Sequence, residues 1–187
     1  DVAKYGFLKV ILKKENDELR KALALQPGKE FHLWFVRTLA KDPLQDTILI
    51  DQGANQKIPL GAAVTTTEKV LVGRVKEVFP DFARVELLSN PNLSFDVKST
   101  GSEQITGLAK GQGSLKASLG LVTQDKKLEV GIPLITSRLG KIFPDGLLVG
   151  EVGQVNLSDV KPFQSAEIRL GFSIKDLDRL FVLWPKE

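Results

Sequence analysis

Cysteine and methionine are absent from this 187-residue chain, and histidine occurs once. Without a thiol there is no cysteine nucleophile, no disulfide framework and no cysteine-based zinc, haem or iron–sulfur site. His32 alone builds no multi-histidine metal site, and any histidine relay would have to pass through it. Long apolar runs are missing too: none approaches the roughly 18 residues that a membrane-spanning helix needs. An excess of charge of either sign is also lacking. Lys and Arg number 26 against 23 Asp and Glu, a net charge of +3, too small a footprint to argue for nucleic acid. The missing methionine has a different meaning. A primary translation product begins with Met, so a chain starting at Asp1 leads us to expect a preceding segment, whether tag, signal or membrane anchor.

What is present divides into two textures. Residues 1–26 contain no Pro and one Gly, and Gln26-Pro27-Gly28 then breaks the pattern. Tyr5, Leu8, Leu12, Leu19 and Ala22 fall at heptad spacing with Leu23 flanking them, while Lys, Glu, Asp and Arg cover the remaining faces. The narrow stripe predicts a coiled-coil helix over 1–28, with Leu8, Leu12, Leu19 and Leu23 as self-association residues. Six basic and four acidic side chains lie in this stretch, so most of the net charge belongs to the helix and the remainder is nearly neutral.

After Gly28 the chain turns to short runs rich in Val, Ile, Leu, Phe and Thr, separated by Gly, Pro, Asn and Asp. Strands are predicted at 31–40, 47–50, 70–79, 82–88, 115–123, 147–155, 166–172 and 180–184. Residues 176–180 read as at most one helical turn. Anchors recur in order. Leu39-Ala40-Lys41 matches Leu108-Ala109-Lys110 at an offset of 69, Lys57-Ile58-Pro59-Leu60-Gly61 matches Lys127-Leu128-Glu129-Val130-Gly131 at 70, and Thr66 matches Thr136. Leu71-Val72-Gly73-Arg74-Val75 matches Leu148-Val149-Gly150-Glu151-Val152 at 77, after a seven-residue insertion. The fold expected is therefore mainly β, an N-terminal coiled-coil α-helix followed by two tandem small antiparallel β-barrels. The predicted domains are 1–28, 29–95 and 96–187. Residues 179–185 are left open between the second barrel and a return to the first. The insertion carries Ile142-Phe143 beside Pro144-Asp145-Gly146. That apolar pair is either tucked beneath its loop or offered to a partner.

No catalytic, cofactor-binding or metal-binding set emerges. A trypsin-like order would use His32, then Asp51 or Asp81, then Ser137, but no nucleophile turn surrounds that serine. Gly111-Gln112-Gly113-Ser114 lacks the Gly-Lys-Ser/Thr end and the following helix of a phosphate-binding loop, and reads as a hairpin. A two-barrel hydrolase using His32 and a nucleic-acid-binding barrel remain the alternatives to a binding scaffold.

The linear order resembles the rod shape-determining protein MreC family. The resemblance runs from the helix around Leu12–Arg20 to Phe181-Val182-Leu183. Its specific pieces are Asp51-Gln52-Gly53-Ala54-Asn55 leading to Gly61, Val72-Gly73-Arg74-Val75 and Ser89-Asn90-Pro91-Asn92. They continue with Thr136-Ser137, Leu139-Gly140, Phe143-Pro144, Gly146 and Gly150. The resemblance implies a non-enzymatic scaffold of the bacterial elongation machinery that organises peptidoglycan synthesis. A cytoplasmic-membrane helix would precede the coiled coil, with the soluble part on the periplasmic or extracellular side. The implied partners are further copies of itself in a homodimer or higher homo-oligomer, penicillin-binding proteins, MreD and MreB. Where the family usually has glycine, Lys141 carries a Cβ, so a left-handed turn is disfavoured there and this loop is expected to depart from the family's.

Overall fold

The computed structural model describes residues 10–11, 31–101, 104–156 and 162–185. Twelve strands form within them: β1 (Phe31–Asp42), β2 (Thr47–Ile50), β3 (Ala63–Thr66), β4 (Leu71–Val78), β5 (Ala83–Leu87), β6 (Ser94–Ser99), β7 (Thr106–Gly113), β8 (Lys116–Thr123), β9 (Pro133–Thr136), β10 (Leu148–Asn156), β11 (Phe163–Leu170) and β12 (Arg179–Pro185). Short 3-10 turns cover Ala54–Gln56 and Ile174–Asp176. The predicted helix over 1–28 lies outside the described residues apart from Val10 and Ile11, which are helical and exposed. Leu8, Leu12, Leu19 and Leu23 lie outside them as well.

The strands close into two six-stranded antiparallel barrels, each made of equivalent strands in the same order. Around the first the order is β1-β12-β3-β4-β5-β2, and around the second β7-β6-β9-β10-β11-β8. Register agrees along with order. Ala40 faces Leu49 across β1–β2, and Ala109 faces Leu119 across β7–β8. Val64 faces Gly73 as Leu134 faces Gly150. One difference sets the chain path. The second barrel draws its sixth strand, β6, from immediately before β7, whereas the first draws β12 from the far end of the chain. Residues 179–185 thus close the first barrel, and β6 begins at Ser94, ahead of the expected division after residue 95.

The repeated anchors have repeated jobs. Thr66 N–H donates to Val70 O at 2.8 Å and Thr136 N–H to Leu147 O at 2.9 Å. Each threonine hydroxyl then accepts the amide of the residue just before the next strand, Val70 or Leu147. The insertion therefore sits inside one closing pair and leaves the barrel below it unchanged. Gly61 and Gly131 take φ of 80° and 89° in matching turns, a region where a Cβ is costly. Gly73 and Gly150 matter for another reason: a Cβ would lie 1.9 Å from Glu86 O and 2.0 Å from Arg169 O.

Val36, Ile48, Ile50, Val64, Val72, Val75, Val85 and Val182 fill the first barrel. Phe95, Val97, Leu119, Leu134, Val149 and Ile168 fill the second, and its cluster continues onto the outer face of the first through Ala63, Leu71, Leu88 and Leu183. A polar joint sits beside this apolar contact. Asp46, in the β1–β2 turn, is buried. Its carboxylate accepts the amides of Ser114 (3.1 Å) and Leu115 (2.8 Å) in the β7–β8 turn. Asn90 donates across the same joint to Gln45 O at 3.1 Å. The two barrels are thus joined by a desolvated carboxylate, each of whose oxygens accepts one backbone amide.

Four strands escape the sequence reading: β3, β6, β7 and β9. Two of them are four residues long, and β7 is Thr-Gly-Leu-Ala-Lys-Gly-Gln-Gly, a composition with weak intrinsic strand preference. The strand β6 alternates cleanly and is followed by Thr100-Gly101-Ser102, so its signal was present and went unread.

Candidate functional site

Three exposed features are available for binding. One is the loop 137–147 between β9 and β10. Here Phe143 is tucked in: it is 6% exposed and meets Phe95 edge-to-face at 5.1 Å. Ile142 is half-buried against the same cluster. Of the two readings of this pair, burial is what the structure shows, because burying a phenyl ring yields roughly 2–3 kcal/mol that an exposed loop tip forgoes. Offering Phe143 to a partner is corrected accordingly, and the side chain this loop presents is Leu139, 74% exposed. The loop is pinned from beneath. Lys98 on β6 donates to Asp145 at 2.9 and 3.1 Å, and the Thr136 hydroxyl donates to Pro144 O at 2.6 Å. Lys141 does adopt the left-handed region, φ 54°, against the expectation from its Cβ. Its amide bonds back to Arg138 O at 3.3 Å, and the anchors on either side of it fix the path.

A second feature is the ribbon formed by the start of β1 and the end of β12. His32 stacks on Trp184 at 5.3 Å, and Phe35 meets Phe181 edge-to-face at 5.9 Å. Leu33, Trp34, Phe35 and Leu39 are all exposed. The sequence predicts a strand at 31–40 without singling out a face for binding, and of residues 31–36 the barrel interior takes Val36. Sequence reasoning therefore missed this surface. The available signal was the length of β1, 12 residues against 8 for β7.

The third is an open cleft of about 640 Å³ between the β3–β4 turn and the segment leading into β12, lined by Thr66, Glu68, Phe172, Asp176 and Arg179 among others. The Thr67 hydroxyl donates to Glu68 at 2.7 Å and holds that carboxyl below the usual range. Asp178 on the rim pairs with Lys41 at 2.7 Å.

The hydrolase set does not assemble as a relay. His32 lies over Trp184. Asp51 accepts the Arg37 amide at 2.8 Å, and Asp81 accepts the Asn55 side-chain amide at 2.8 Å. Ser137 belongs to the second barrel and its amide donates to Asp96 O at 2.9 Å. Both candidate acids thus have loop-holding duties. Among the described residues, no group of three or more His, Cys, Asp or Glu is placed to hold a metal ion. No helix in them is long and apolar enough to cross a membrane.

Comparison with known proteins places this architecture. The family model described as rod shape-determining protein MreC, barrel core, matches residues 36–184, from the interior-facing valine of β1 to the penultimate residue of β12. The cell shape-determining protein MreC of Listeria monocytogenes is 30% identical over 179 residues, covering 92% of this chain and 60% of that protein. The protein of the same name from Escherichia coli is 27% identical over 175 residues and is covered to 47%. The chain therefore spans roughly half to 60% of the length of these two curated relatives. A solved Listeria monocytogenes MreC structure superposes with a TM-score of 0.76 at 28% identity, over 97% of this chain and 90% of that one. The same fold, at a TM-score of 0.66 and 16% identity, occurs in a solved complex between penicillin-binding protein PBP2 and MreC from Helicobacter pylori, over 84% of this chain and 100% of that one.

Proposed function

The chain belongs to the rod shape-determining protein MreC family, and from that premise we propose that it is the extracytoplasmic part of a non-catalytic scaffold for cell-wall elongation. The observation that carries this reading is the family match across both barrels, residues 36–184. In this reading the scaffold is tied to the cytoplasmic membrane by a segment N-terminal to residue 1, and the barrels lie on the periplasmic or extracellular side. The helix predicted over 1–28 joins copies through Leu8, Leu12, Leu19 and Leu23, as a homodimer or a higher homo-oligomer. The barrels meet penicillin-binding proteins, with MreD and MreB as further members of the assembly. The H. pylori complex supports the synthase contact, since a protein of this fold is the partner there.

The mechanism is one of concentration and orientation. Two rigidly joined barrels on a paired helix present each binding surface twice, so individually weak contacts act together. No bond is made or broken by the scaffold. The exposed loop residue Leu139 and the aromatic ribbon of β1 are two surfaces that present exposed apolar side chains. Surface-immobilised chain should bind the soluble ectodomain of a penicillin-binding protein from the same source, and Leu139→Glu should weaken that binding. Absence of binding up to about 1 mM, the weak end of specific association, would overturn the synthase contact.

A further inference from the structure

The start of β1 is an unprotected sheet edge. Over residues 31–37 this strand pairs with β12 on one side, while β2 pairs with it from Thr38 onward on the other. The direction of the backbone groups follows from two bonds. Thr38 N–H donates to Asp178 O at 3.1 Å on the β12 side, and Arg37 exchanges bonds with Asp51 on the β2 side, donating at 2.8 Å and accepting at 2.9 Å. Alternation then turns the N–H and C=O groups of Leu33 and Phe35 to the β2 side. Among the described residues, no strand pairs with that edge over 31–35.

This edge exceeds what the barrel needs. An offset of 69 sets Arg37 against Thr106, where β7 begins, and the buried Val36 against the buried Ile105, so β1 starts six residues ahead of its counterpart strand. The usual protections are missing as well. Exposed edges are normally blunted by lysine, proline or a bulge, and none occurs between Phe31 and Val36. The side chains are apolar and open instead: Leu33 is 55%, Trp34 44% and Phe35 43% exposed.

We propose that β1 residues 31–35 pair antiparallel with the same residues of a second copy of this chain, which rests on the helix self-association reading above. Leu33 and Phe35 of one copy exchange backbone bonds with Phe35 and Leu33 of the other. Trp34 meets its counterpart at the two-fold axis, a position without hydrogen bonds where Cα atoms approach to about 4.5 Å. The occupant follows from the chain preceding the edge. The predicted helix ends at Pro27-Gly28 and the strand starts at Phe31. Paired helices sit roughly 8–10 Å apart, and residues 27–30 reach about 13 Å, so helix pairing delivers both edges to one place. No charge lies between Phe31 and Val36, so two copies meet without repulsion, and a charged foreign strand has nothing there to read. A five-residue edge is marginal as a free-standing interface, but tethering gives it an effective concentration of order millimolar.

The cysteine-free sequence makes the test direct. Trp34→Cys and Phe35→Cys are introduced singly into the full chain, with Thr67→Cys on the exposed β3–β4 turn as control, and oxidised mildly. A disulfide-linked dimer is expected from a thiol at 34, which meets its own counterpart, and not from 35, which faces position 33 of the other copy, nor from 67. Sedimentation of the double variant Leu33→Lys/Phe35→Lys should show dimerisation weakened by about tenfold, as like charges face each other across the pair. Three results would overturn the proposal. A chain that sediments as a dimer, gives no cross-link and is indifferent to the lysines overturns the edge pairing alone. A monomeric unmodified chain at about 100 μM, far above the concentrations of specific dimers, overturns the helix reading and the edge with it. A monomer whose thiol at 34 is shielded from alkylation points to the chain's own N-terminal segment as the cover.

Discussion

The second barrel takes its six strands from one continuous stretch, β6 to β11, while the first waits for β12 until the whole second barrel has been written. Strand order, register and hairpin-closing bonds are otherwise shared. The difference shows that a barrel fold constrains neighbours in space and leaves their order in the chain free. It also ties the domains together. The first barrel cannot close without a segment that leaves the second, so its long-range pairing carries a larger loop-closure cost and should form later.

Removing residues 179–187 is the severest way to break this comparison. The first barrel loses β12 with the buried Leu180 and Val182, and its interior opens along β1 and β3. Amide exchange should then show protection lost across β1–β5 and kept across β6–β11. Equal loss in both barrels would mean that they fold as one indivisible unit.

A smaller effect tests the equivalence itself. Gly73→Ala and Gly150→Ala each drive a Cβ to within 2.0 Å of a carbonyl on the neighbouring strand. Each should cost about 3 kcal/mol in urea denaturation, since a backbone collision is relieved only by moving a strand. A large difference between the two would show that the β4–β5 and β10–β11 contacts are alike in register but not in rigidity.

The smallest effect separates the barrels by burial. Arg74–Glu86 and Glu151–Arg169 occupy matching positions with their charges exchanged between strands. The first pair is 2.5 Å long with the Glu86 side chain 3% exposed, and the second is 3.2 Å long in open solvent. Glu86→Ala should cost about 2 kcal/mol by leaving Arg74 half-buried and unpaired. Glu151→Ala should cost under about 1 kcal/mol and less still at high salt. Thermal denaturation of both variants at two salt concentrations checks the contrast.

Much of the fold was legible because turn chemistry is local. The positive φ at Gly61 and Gly131, the paired threonines and the seven-residue insertion are all visible as anchors in the chain. The glycine-rich β7 and the four-residue β3 and β9 were not, because their pairing rather than their composition makes them strands. The surfaces were less legible still. Ile142-Phe143 and the run 31–36 are equally apolar, yet Phe143 is buried and Leu33 is exposed. The outcome depends on whether a core lies beneath the residue, and a single strand's sequence carries no record of that.

By itself the sequence determined two β modules with matching turns, the absence of thiol chemistry, and the membership that the comparisons bear out. Alternation, glycine geometry and hairpin bonds all act within a few residues, so they survive reading in one dimension. Tertiary structure alone decided which strand closes the first barrel, where Phe143 points, how Asp46 joins the turns of the two barrels, and that Leu33, Trp34 and Phe35 at the start of β1 stay exposed. Each of these depends on which distant residues meet, and period-two alternation tells a strand that it has two faces without naming its neighbours.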